Sequence, residues 1–440
     1  MERYAMYPYR KVLSPSLSLS TVKTDKFKSE TLSVSLITPI DRRKSPLSLL
    51  ALSVLKRGTE KYRTQGEINL RLDDLYATSI SIKSLRCGNS NILGFTAEML
   101  GEEYAAPDSK VDIFDGTIDV ICQMLFHPLT DENGNFLPVY IESEKSNQCD
   151  AINAQINNPR AYAALRCRGI MYEGEPYGTS LFGTTEQIEA VTPQELFACY
   201  HGLISGCRYE IFYVGSREAN EVEEVLRRRF LPYLGTGRPN EIPLPDVTYE
   251  KRSVKRVTEE MPLAQGKLVL GFRTGINIRH PDFYAMLVMS EIYGGSPVSK
   301  LFMNVREKLS LCYYCNAAYE VFMGSIMVSC GVSPANREKA EGEILYQLKQ
   351  IAMGKITDED FEAAKHSLCN GYRSFSDSPS ALETYYSCRN EFGVDCTVEK
   401  CMENIRNVSR EDVIRVAGLV SLDTVYFLNG SGEENDDATD

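Results

Sequence analysis

The stretch Val191-Thr192-Pro193-Gln194-Glu195-Leu196 has a counterpart 217 residues later, Val408-Ser409-Arg410-Glu411-Asp412-Val413. In the first copy, Thr192 followed by Pro193 is typical of the start of a helix, where a hydroxyl caps free N–H groups and proline needs none. A repeat at such a spacing suggests that the chain contains two copies of one structural unit.

Three further matches follow the same spacing. The offsets stay between 215 and 220 residues and keep their order along the chain, which predicts duplication of a unit of that length. The matched segments are Gly202-Leu203-Ile204-Ser205 with Gly418-Leu419-Val420-Ser421, Ile211–Ser216 with Tyr426–Ser431, and Glu142, Lys145, Pro159 and Ala161 with Glu362, Lys365, Pro379 and Ala381.

A segment rich in glycine and proline separates the two copies. Gly235-Thr236-Gly237-Arg238-Pro239-Asn240 is followed by Pro243 and Pro245, a composition typical of an exposed linker. We therefore expect an N-terminal domain at residues 1–235, a linker at 236–252, a C-terminal domain at 253–432 and a disordered acidic tail at 433–440. The acidic residues of that tail are Glu433, Glu434, Asp436, Asp437 and Asp440.

Composition excludes several classes of protein. The 440 residues include 48 Lys and Arg against 60 Asp and Glu, a formal net charge of −12, which argues against nucleic-acid binding. The 25 tyrosines and 17 phenylalanines suffice for two hydrophobic cores and argue against intrinsic disorder.

The sequence shows neither a membrane-spanning segment nor a signal peptide. The longest nearly apolar run, Leu47–Leu55, is far shorter than the roughly 20 residues of a membrane span. The segment before Pro15 has no hydrophobic stretch of signal-peptide type. Since the 13 cysteines show no repeated spacing and no signal peptide is seen, we expect reduced thiols and a cytoplasmic location. The short apolar runs predict no membrane contact.

The apolar pattern predicts a mixture of strands and helices in each copy. Strands on one side of the sequence with helical pairs between them indicate an α+β sandwich and not a doubly wound parallel sheet. In the first copy we expect strands at 32–36, 80–82, 92–95 and 209–214, and helices at 46–58, 65–76, 111–125 and 137–168, with a further helix starting at Thr192.

Several motifs together resemble the insulinase/pitrilysin family of zinc peptidases, the inverzincins. The resemblance covers the whole chain except the acidic tail, and implies two tandem homologous α/β sandwich domains of the insulinase/mitochondrial-processing-peptidase type. The segments that carry it are Leu55-Lys56-Arg57-Gly58-Thr59, Glu175-Pro176-Tyr177-Gly178, Gly183–Ile188, Gly294-Gly295, Ser299-x-Leu301-Phe302, Val305-Arg306-Glu307-Lys308 and Leu311-x-Tyr313.

The zinc motif of that family is absent. His-x-x-Glu-His on a helix places two imidazoles on one face and a general base between them. Counted back from Gly58-Thr59, those three positions hold Leu49, Leu52 and Ser53. The third ligand aligns with Ala151, and only an auxiliary acid, Glu144, is retained. The resemblance therefore implies a chain without zinc or another cofactor and without peptidase activity of its own.

Two other pairs could hold a metal or act in redox chemistry. His366 and Cys369 lie three residues apart on an expected helix, but a partly exposed histidine beside a core cysteine is the commoner situation. Cys312-x-x-Cys315 lies in an expected strand and not at a helix N-terminus, so packing is again the favoured interpretation. A zinc peptidase with displaced ligands is the least favoured hypothesis.

The resemblance assigns substrate binding to Arg306 and Tyr313. In active relatives an arginine and a tyrosine of the second domain reach the substrate peptide and the reacting carbonyl. The alternative is that Arg306 pairs with Glu307 or Glu291 while Tyr313 fills the core. Some family members are two-chain peptidases in which one subunit carries zinc and the other this pair of residues.

The resemblance thus implies a heterodimer with a zinc-bearing paralogue, acting on a peptide or unfolded polypeptide between domains that open and close. The alternative is a peptide-binding or scaffold protein with no role in hydrolysis. Three segments, Thr24–Lys28, Leu72–Ala77 and Tyr162–Cys167, resemble the zinc-free member of a bacterial pair associated with 5-aminopentanol modification of elongation factor P.

Overall fold

The computed structural model describes residues 8–108, 110–239, 241–248 and 253–430. The predicted acidic tail lies outside the described residues, as do Asn240 and residues 249–252 of the predicted linker. The described linker residues, 236–239 and 241–248, contain neither helix nor strand.

Two compact units make up the chain, and neither is continuous in sequence. Unit 1 comprises Met1–Asn153, Thr179–Leu244 and Phe375–Thr397, and unit 2 comprises Ala154–Gly178, Pro245–Ser374 and Val398–Asp440, each over its described residues. The contiguous domain boundaries predicted from the repeat stay a proposal.

Each unit is built on one sheet. The order is β1-β2-β6-β3-β5-β4 in unit 1 and β7-β11-β8-β10-β9 in unit 2. The strands are β1 (Tyr9–Ser14), β2 (Leu17–Lys23), β3 (Ser29–Pro39), β4 (Ser79–Cys87), β5 (Ser90–Leu100), β6 (Arg208–Gly215), β7 (Lys255–Met261), β8 (Gly266–Arg273), β9 (Cys312–Glu320), β10 (Ser325–Val332) and β11 (Ser421–Gly430).

The two sheets repeat one pattern of strand directions. In unit 1, β2 runs parallel to β6, and the pairs β6–β3, β3–β5 and β5–β4 are antiparallel. In unit 2, β7 is parallel to β11, and β11–β8, β8–β10 and β10–β9 are antiparallel. Mostly antiparallel sheets with helices between the strands confirm the α+β prediction, and the shared order is what a duplicated unit predicts. The N-terminal hairpin β1–β2 was not predicted.

Fourteen α-helices are present in the described part of the chain. Two segments, Glu291–Gly295 and Phe302–Lys308, are π-helical, a rare form common at functional sites. The α-helices are α1 (Lys44–Leu55), α2 (Gln65–Asp74), α3 (Ile113–Phe126), α4 (Pro138–Asn153), α5 (Pro159–Met171), α6 (Thr185–Glu189), α7 (Pro193–Gly206), α8 (Ala219–Arg229), α9 (Phe283–Ser290), α10 (Arg337–Ala352), α11 (Asp358–Ser374), α12 (Pro379–Glu391), α13 (Val398–Arg406) and α14 (Arg410–Ala417).

The prediction of one helix over 137–168 is wrong. The chain forms a 3-10 turn at Ala154–Asn157, and a new helix begins at Pro159. Asn158 caps this helix, because its Oδ1 accepts a hydrogen bond from the Ala161 N–H at 3.1 Å. Proline fits the first turn, where no N–H is needed, but would break the interior of a longer helix.

The two helices that share the Pro-x-Ala repeat belong to opposite units. α5 follows the first copy's elements in sequence but packs on β8 and β11 in unit 2. α12 lies within the second copy's sequence but packs on β3 and β6 in unit 1. The duplicated helices are therefore exchanged between the units.

A buried ion pair fixes α12 to the sheet of unit 1. The Glu383 carboxylate is paired with the Lys83 ammonium and accepts hydrogen bonds from Ser33 Oγ and Ser387 Oγ, both at 2.7 Å. Burial alone raises the pKa of Glu383, but the Lys83 charge and the hydroxyl donors outweigh it, so that the pKa is lowered overall. The charge is held because every group around it stabilises the ionised form.

Candidate functional site

Helix α1, which holds the positions of the family's zinc motif, is part of the core of unit 1. Leu49 and Leu52 of α1 are 7% and 0% exposed and lie among other buried side chains of the helix. The Ser53 hydroxyl donates a hydrogen bond to the Leu49 carbonyl oxygen at 3.2 Å. The three motif positions therefore supply two aliphatic side chains and one hydroxyl that is already bonded within the helix.

Glu144, the auxiliary acid that is retained, forms an ion pair with Arg57, which follows α1. Glu144 of α4 is buried, and its carboxylate is paired with the Arg57 guanidinium. Arg57 also donates to Ser143 Oγ at 3.1 Å and to Gln65 Oε1 at 3.2 Å, and Asn147 donates to Glu144 at 3.2 Å. Because Arg57 and Asn147 contact the two carboxylate oxygens, the Glu144 side chain is engaged in contacts within the unit.

The remaining metal-binding candidates do not converge. The methyl group of Ala151 is exposed on α4. His366 is exposed, whereas Cys369 is buried with its thiol 3.8 Å from the Met402 carbonyl oxygen. Across the described ranges, no three His, Cys, Asp or Glu side chains are grouped so that they could hold a metal ion.

Arg306 lies on the π-helix of unit 2. Its guanidinium lies 4.6 Å from the centre of the Phe302 ring, and its Nε lies 3.4 Å from Glu307 Oε1. One of the two ion pairs considered in the sequence analysis is therefore present. The Arg306 and Glu307 side chains are 41% and 50% exposed, so solvent screens the pair and leaves the guanidinium accessible.

Tyr313 is displayed on a β-bulge. In the β9–β10 pair, Tyr314 lies opposite Gly331 and Cys312 opposite Val332, so Tyr313 has no partner residue. Its side chain is 79% exposed and therefore does not fill the core. Bulges of this kind turn a side chain away from the sheet and are common next to binding sites. Just before β9, Ser310 has a φ of +49°, a left-handed conformation that residues other than glycine rarely adopt.

We call Phe302–Glu320 the bulged corner of unit 2. It joins the Arg306 π-helix, the Ser310 turn and the Tyr313 bulge in one continuous segment. Sequence reasoning selected Arg306 and Tyr313 through the family resemblance, but no residue pattern indicates a bulge or a π-helix. The sequence also contains no sign that Arg57, in the segment Leu55–Thr59, pairs with Glu144.

Comparisons with known proteins show what this chain is similar to. Residues 190–368 match the model of the Peptidase M16 inactive domain. The chain is 29% identical to the "Probable inactive metalloprotease YmfF" of Bacillus subtilis (strain 168), over 94% of this chain and 96% of the relative. It is 25% identical to the "Uncharacterized zinc protease YmxG" of the same strain, over 57% of this chain and 59% of the relative.

A solved structure gives the same result for the fold. The crystal structure of a conserved protein from Enterococcus faecalis V583 matches with a TM-score of 0.88 and 25% identity, covering 98% of this chain and all of the other. Two α+β units that exchange α5 and α12, together with an α1 helix filled by aliphatic side chains, are similar to the fold of the M16-like peptidases. The chain is similar over nearly its whole length to a relative named as a probable inactive metalloprotease, and the predicted α+β fold class is confirmed.

The prediction of no membrane contact can be compared with the length and polarity of the helices. In the part of the chain that the structure describes, every helix is too short or too polar to cross a bilayer. The cytoplasmic location stays a prediction.

Proposed function

We propose that this chain is a non-catalytic subunit that pairs with a zinc-bearing paralogue and contributes Arg306 and Tyr313 to a shared proteolytic chamber. The observation that carries the proposal is the bulged corner, which presents both side chains to solvent on irregular backbone. The likeness to both an inactive and a zinc-type relative from one Bacillus strain supports pairing of the two kinds of chain.

The two side chains suit different parts of peptide recognition. The Arg306 guanidinium is a planar fork of donors that fits a carbonyl or carboxylate oxygen of a peptide. The Tyr313 hydroxyl can donate to the oxyanion that develops when a zinc-bound water attacks the peptide carbonyl. The zinc and the water come from the paralogue, because α1 and α4 of this chain are filled by side chains and the Arg57–Glu144 pair.

Mutation of the reconstituted complex tests the proposal. Arg306→Ala is expected to lower kcat/KM for a peptide at least about tenfold while the two chains still associate, since it removes charge-assisted hydrogen bonds to substrate. Tyr313→Phe is expected to lower kcat by about 100-fold if its hydroxyl meets the oxyanion. Lys308→Ala is the matched control, because it removes an exposed cation from the same π-helix and should leave turnover unchanged.

The alternative function gives a different outcome. A peptide-binding or scaffold protein would assemble with its partners but show no dependence of hydrolysis on Arg306 or Tyr313. Unchanged turnover of both variants in an assembled complex would therefore favour that alternative. Stoichiometric zinc in the chain purified alone would instead revive an independent peptidase.

The link to elongation factor P stays a prediction from three sequence segments. Lys26, in the first of these segments, has a structural role. Its ammonium donates hydrogen bonds to the Ser376 carbonyl oxygen at 2.6 Å and to the Asp377 carboxylate at 2.7 Å. Mass spectrometry of elongation factor P from cells lacking this chain would check the link, with loss of the 5-aminopentanol adduct as the expected result.

A further inference from the structure

Three cysteines of the sheet in unit 2 lie on one face because of the bulge. Cys315 of β9 lies directly opposite Cys330 of β10. Residues three apart in a regular strand point to opposite faces, so Cys312 would normally point away from Cys315. The register shift at Tyr313 places Cys312 opposite Val332, two residues beyond Cys330, and so on the same face as both other thiols.

The thiols differ in exposure and in protonation. Cys312 is half-buried, whereas Cys315 and Cys330 are buried. Hydrogen bonds from the Cys315 and Cys330 thiols to the Cys312 sulfur hold the pKa of Cys312 well below its usual range, against the effect of burial and helped by the Arg306 charge. The same hydrogen bonds raise the pKa values of Cys315 and Cys330. Cys312 is therefore the partly exposed thiol of the three and the one that loses its proton most readily.

Cys199 provides an internal contrast. It is the other half-buried cysteine of the chain, and its thiol lies 3.7 Å from Ser48 Oγ and 3.8 Å from the Lys44 carbonyl oxygen. Burial raises the pKa of the Cys199 thiol. The two sites thus share partial exposure but differ in the thiol neighbours.

We propose that Cys312 is a peroxide-reactive thiol that forms a reversible disulfide with Cys315 or Cys330. The placement of three sulfurs on one face of the β9–β10 pair carries this proposal. Redox chemistry is favoured over metal binding because the described residues contain no suitable group of three ligands. The proposal is independent of the proposed function, since it concerns the chain alone.

The reaction balances with a hydroperoxide as the oxidant. The Cys312 thiolate attacks one oxygen of hydrogen peroxide and forms a sulfenic acid, while hydroxide leaves and takes up a proton as water. The sulfur of Cys315 or Cys330 then attacks the sulfenic sulfur, and the departing hydroxide takes the proton of that thiol as a second water. Two thiols and one peroxide thus give one disulfide and two waters.

Mass spectrometry of the full chain tests the proposal. After treatment with one equivalent of hydrogen peroxide and alkylation of the remaining thiols, we expect one disulfide that contains Cys312, with Cys199 fully alkylated. Before oxidation, iodoacetamide at pH 6 should label Cys312 at least about tenfold faster than Cys199, because only the thiolate reacts. A reducing agent should restore the original labelling.

Variants separate the chemistry from general oxidation. Cys312→Ser should abolish the disulfide and Cys199→Ser should leave it unchanged. Cys315→Ser and Cys330→Ser are then compared. The substitution that abolishes the disulfide identifies the cysteine that bonds to Cys312. Equal labelling of Cys312 and Cys199 in the unsubstituted chain, or a peroxide-induced disulfide without Cys312, would overturn the proposal without bearing on peptide hydrolysis by a mixed complex.

Discussion

The α1–α4 pair of unit 1 encloses an ion pair, whereas the bulged corner of unit 2 exposes its charged and polar side chains. The α1–α4 pair has regular backbone, buried leucines and the internal Arg57–Glu144 pair. The bulged corner has a π-helix, a positive φ at Ser310 and a bulge that exposes Tyr313. Irregular backbone is less stable than regular backbone unless its surroundings hold it in place. The first region is therefore built for packing, whereas the second keeps a geometry that packing alone does not require.

The largest effect is expected at the charge that unit 1 encloses most completely. Glu383→Gln leaves the Lys83 ammonium buried without a counter-ion and should lower the free energy of unfolding by about 4 kcal/mol at pH 7. Urea denaturation measures this value. Glu132→Gln, at an exposed position in a turn, is the control and should change it by less than about 0.5 kcal/mol.

The same ion pair makes stability depend on pH. Because the folded pKa of Glu383 lies below that of an unfolded glutamate, the unfolded state binds a proton first as the pH falls. The contribution is fully present above the unfolded value of about 4.3 and is lost as the pH falls through the lower folded value. The stability difference between the unsubstituted chain and Glu383→Gln should therefore shrink at acid pH. A constant difference from pH 7 to pH 3 would contradict the assignment.

The next effect tests whether the former motif helix is a packing element. Leu52→Ala should lower the free energy of unfolding by about 3 kcal/mol, because Leu52 is fully buried and its removal leaves a cavity. Leu70→Ala on α2 is the matched control, since Leu70 is 64% exposed and should matter by less than about 0.5 kcal/mol. Equal effects of the two substitutions would mean that α1 is not part of the core.

Much of this comparison could be predicted from the sequence. The aliphatic residues Leu49 and Leu52 exclude metal ligation by their chemistry alone, and the apolar run around them predicts a buried helix. The repeat predicts two related sheets, because matched apolar strands recur with matched helix starts. The first feature is local, and the second needs only a comparison of two stretches of the same chain.

The remainder depends on contacts between distant residues. The exchange of α5 and α12 between units is set by which sheet each helix packs on, and the sequence of the helix does not record that choice. The bulge at Tyr313 arises from the register of β9 against β10, which no pattern within β9 specifies. The Arg57–Glu144 pair joins residues 87 positions apart, so only the fold brings the two charges together.

A smaller effect is expected when the charge of Glu144 loses its partner. Arg57→Ala should lower the free energy of unfolding by about 2 kcal/mol, since the buried carboxylate keeps Asn147 but loses its counter-ion. In a double-mutant cycle, Glu144→Gln should relieve most of that loss, because the uncompensated charge is then removed. Additive effects of the two substitutions would show that the pair is not coupled.

The smallest effects on stability are expected at the bulged corner, where the effects on function are expected to be largest. Arg306→Ala and Tyr313→Phe should each change the free energy of unfolding by less than about 0.5 kcal/mol, because the Arg306 pair is screened and the Tyr313 side chain is exposed. Urea denaturation of the isolated chain measures this, alongside the turnover of the reconstituted complex. Losses above about 2 kcal/mol would mean that these side chains hold the corner together, and any change in hydrolysis would then follow from misfolding and not from lost substrate contacts.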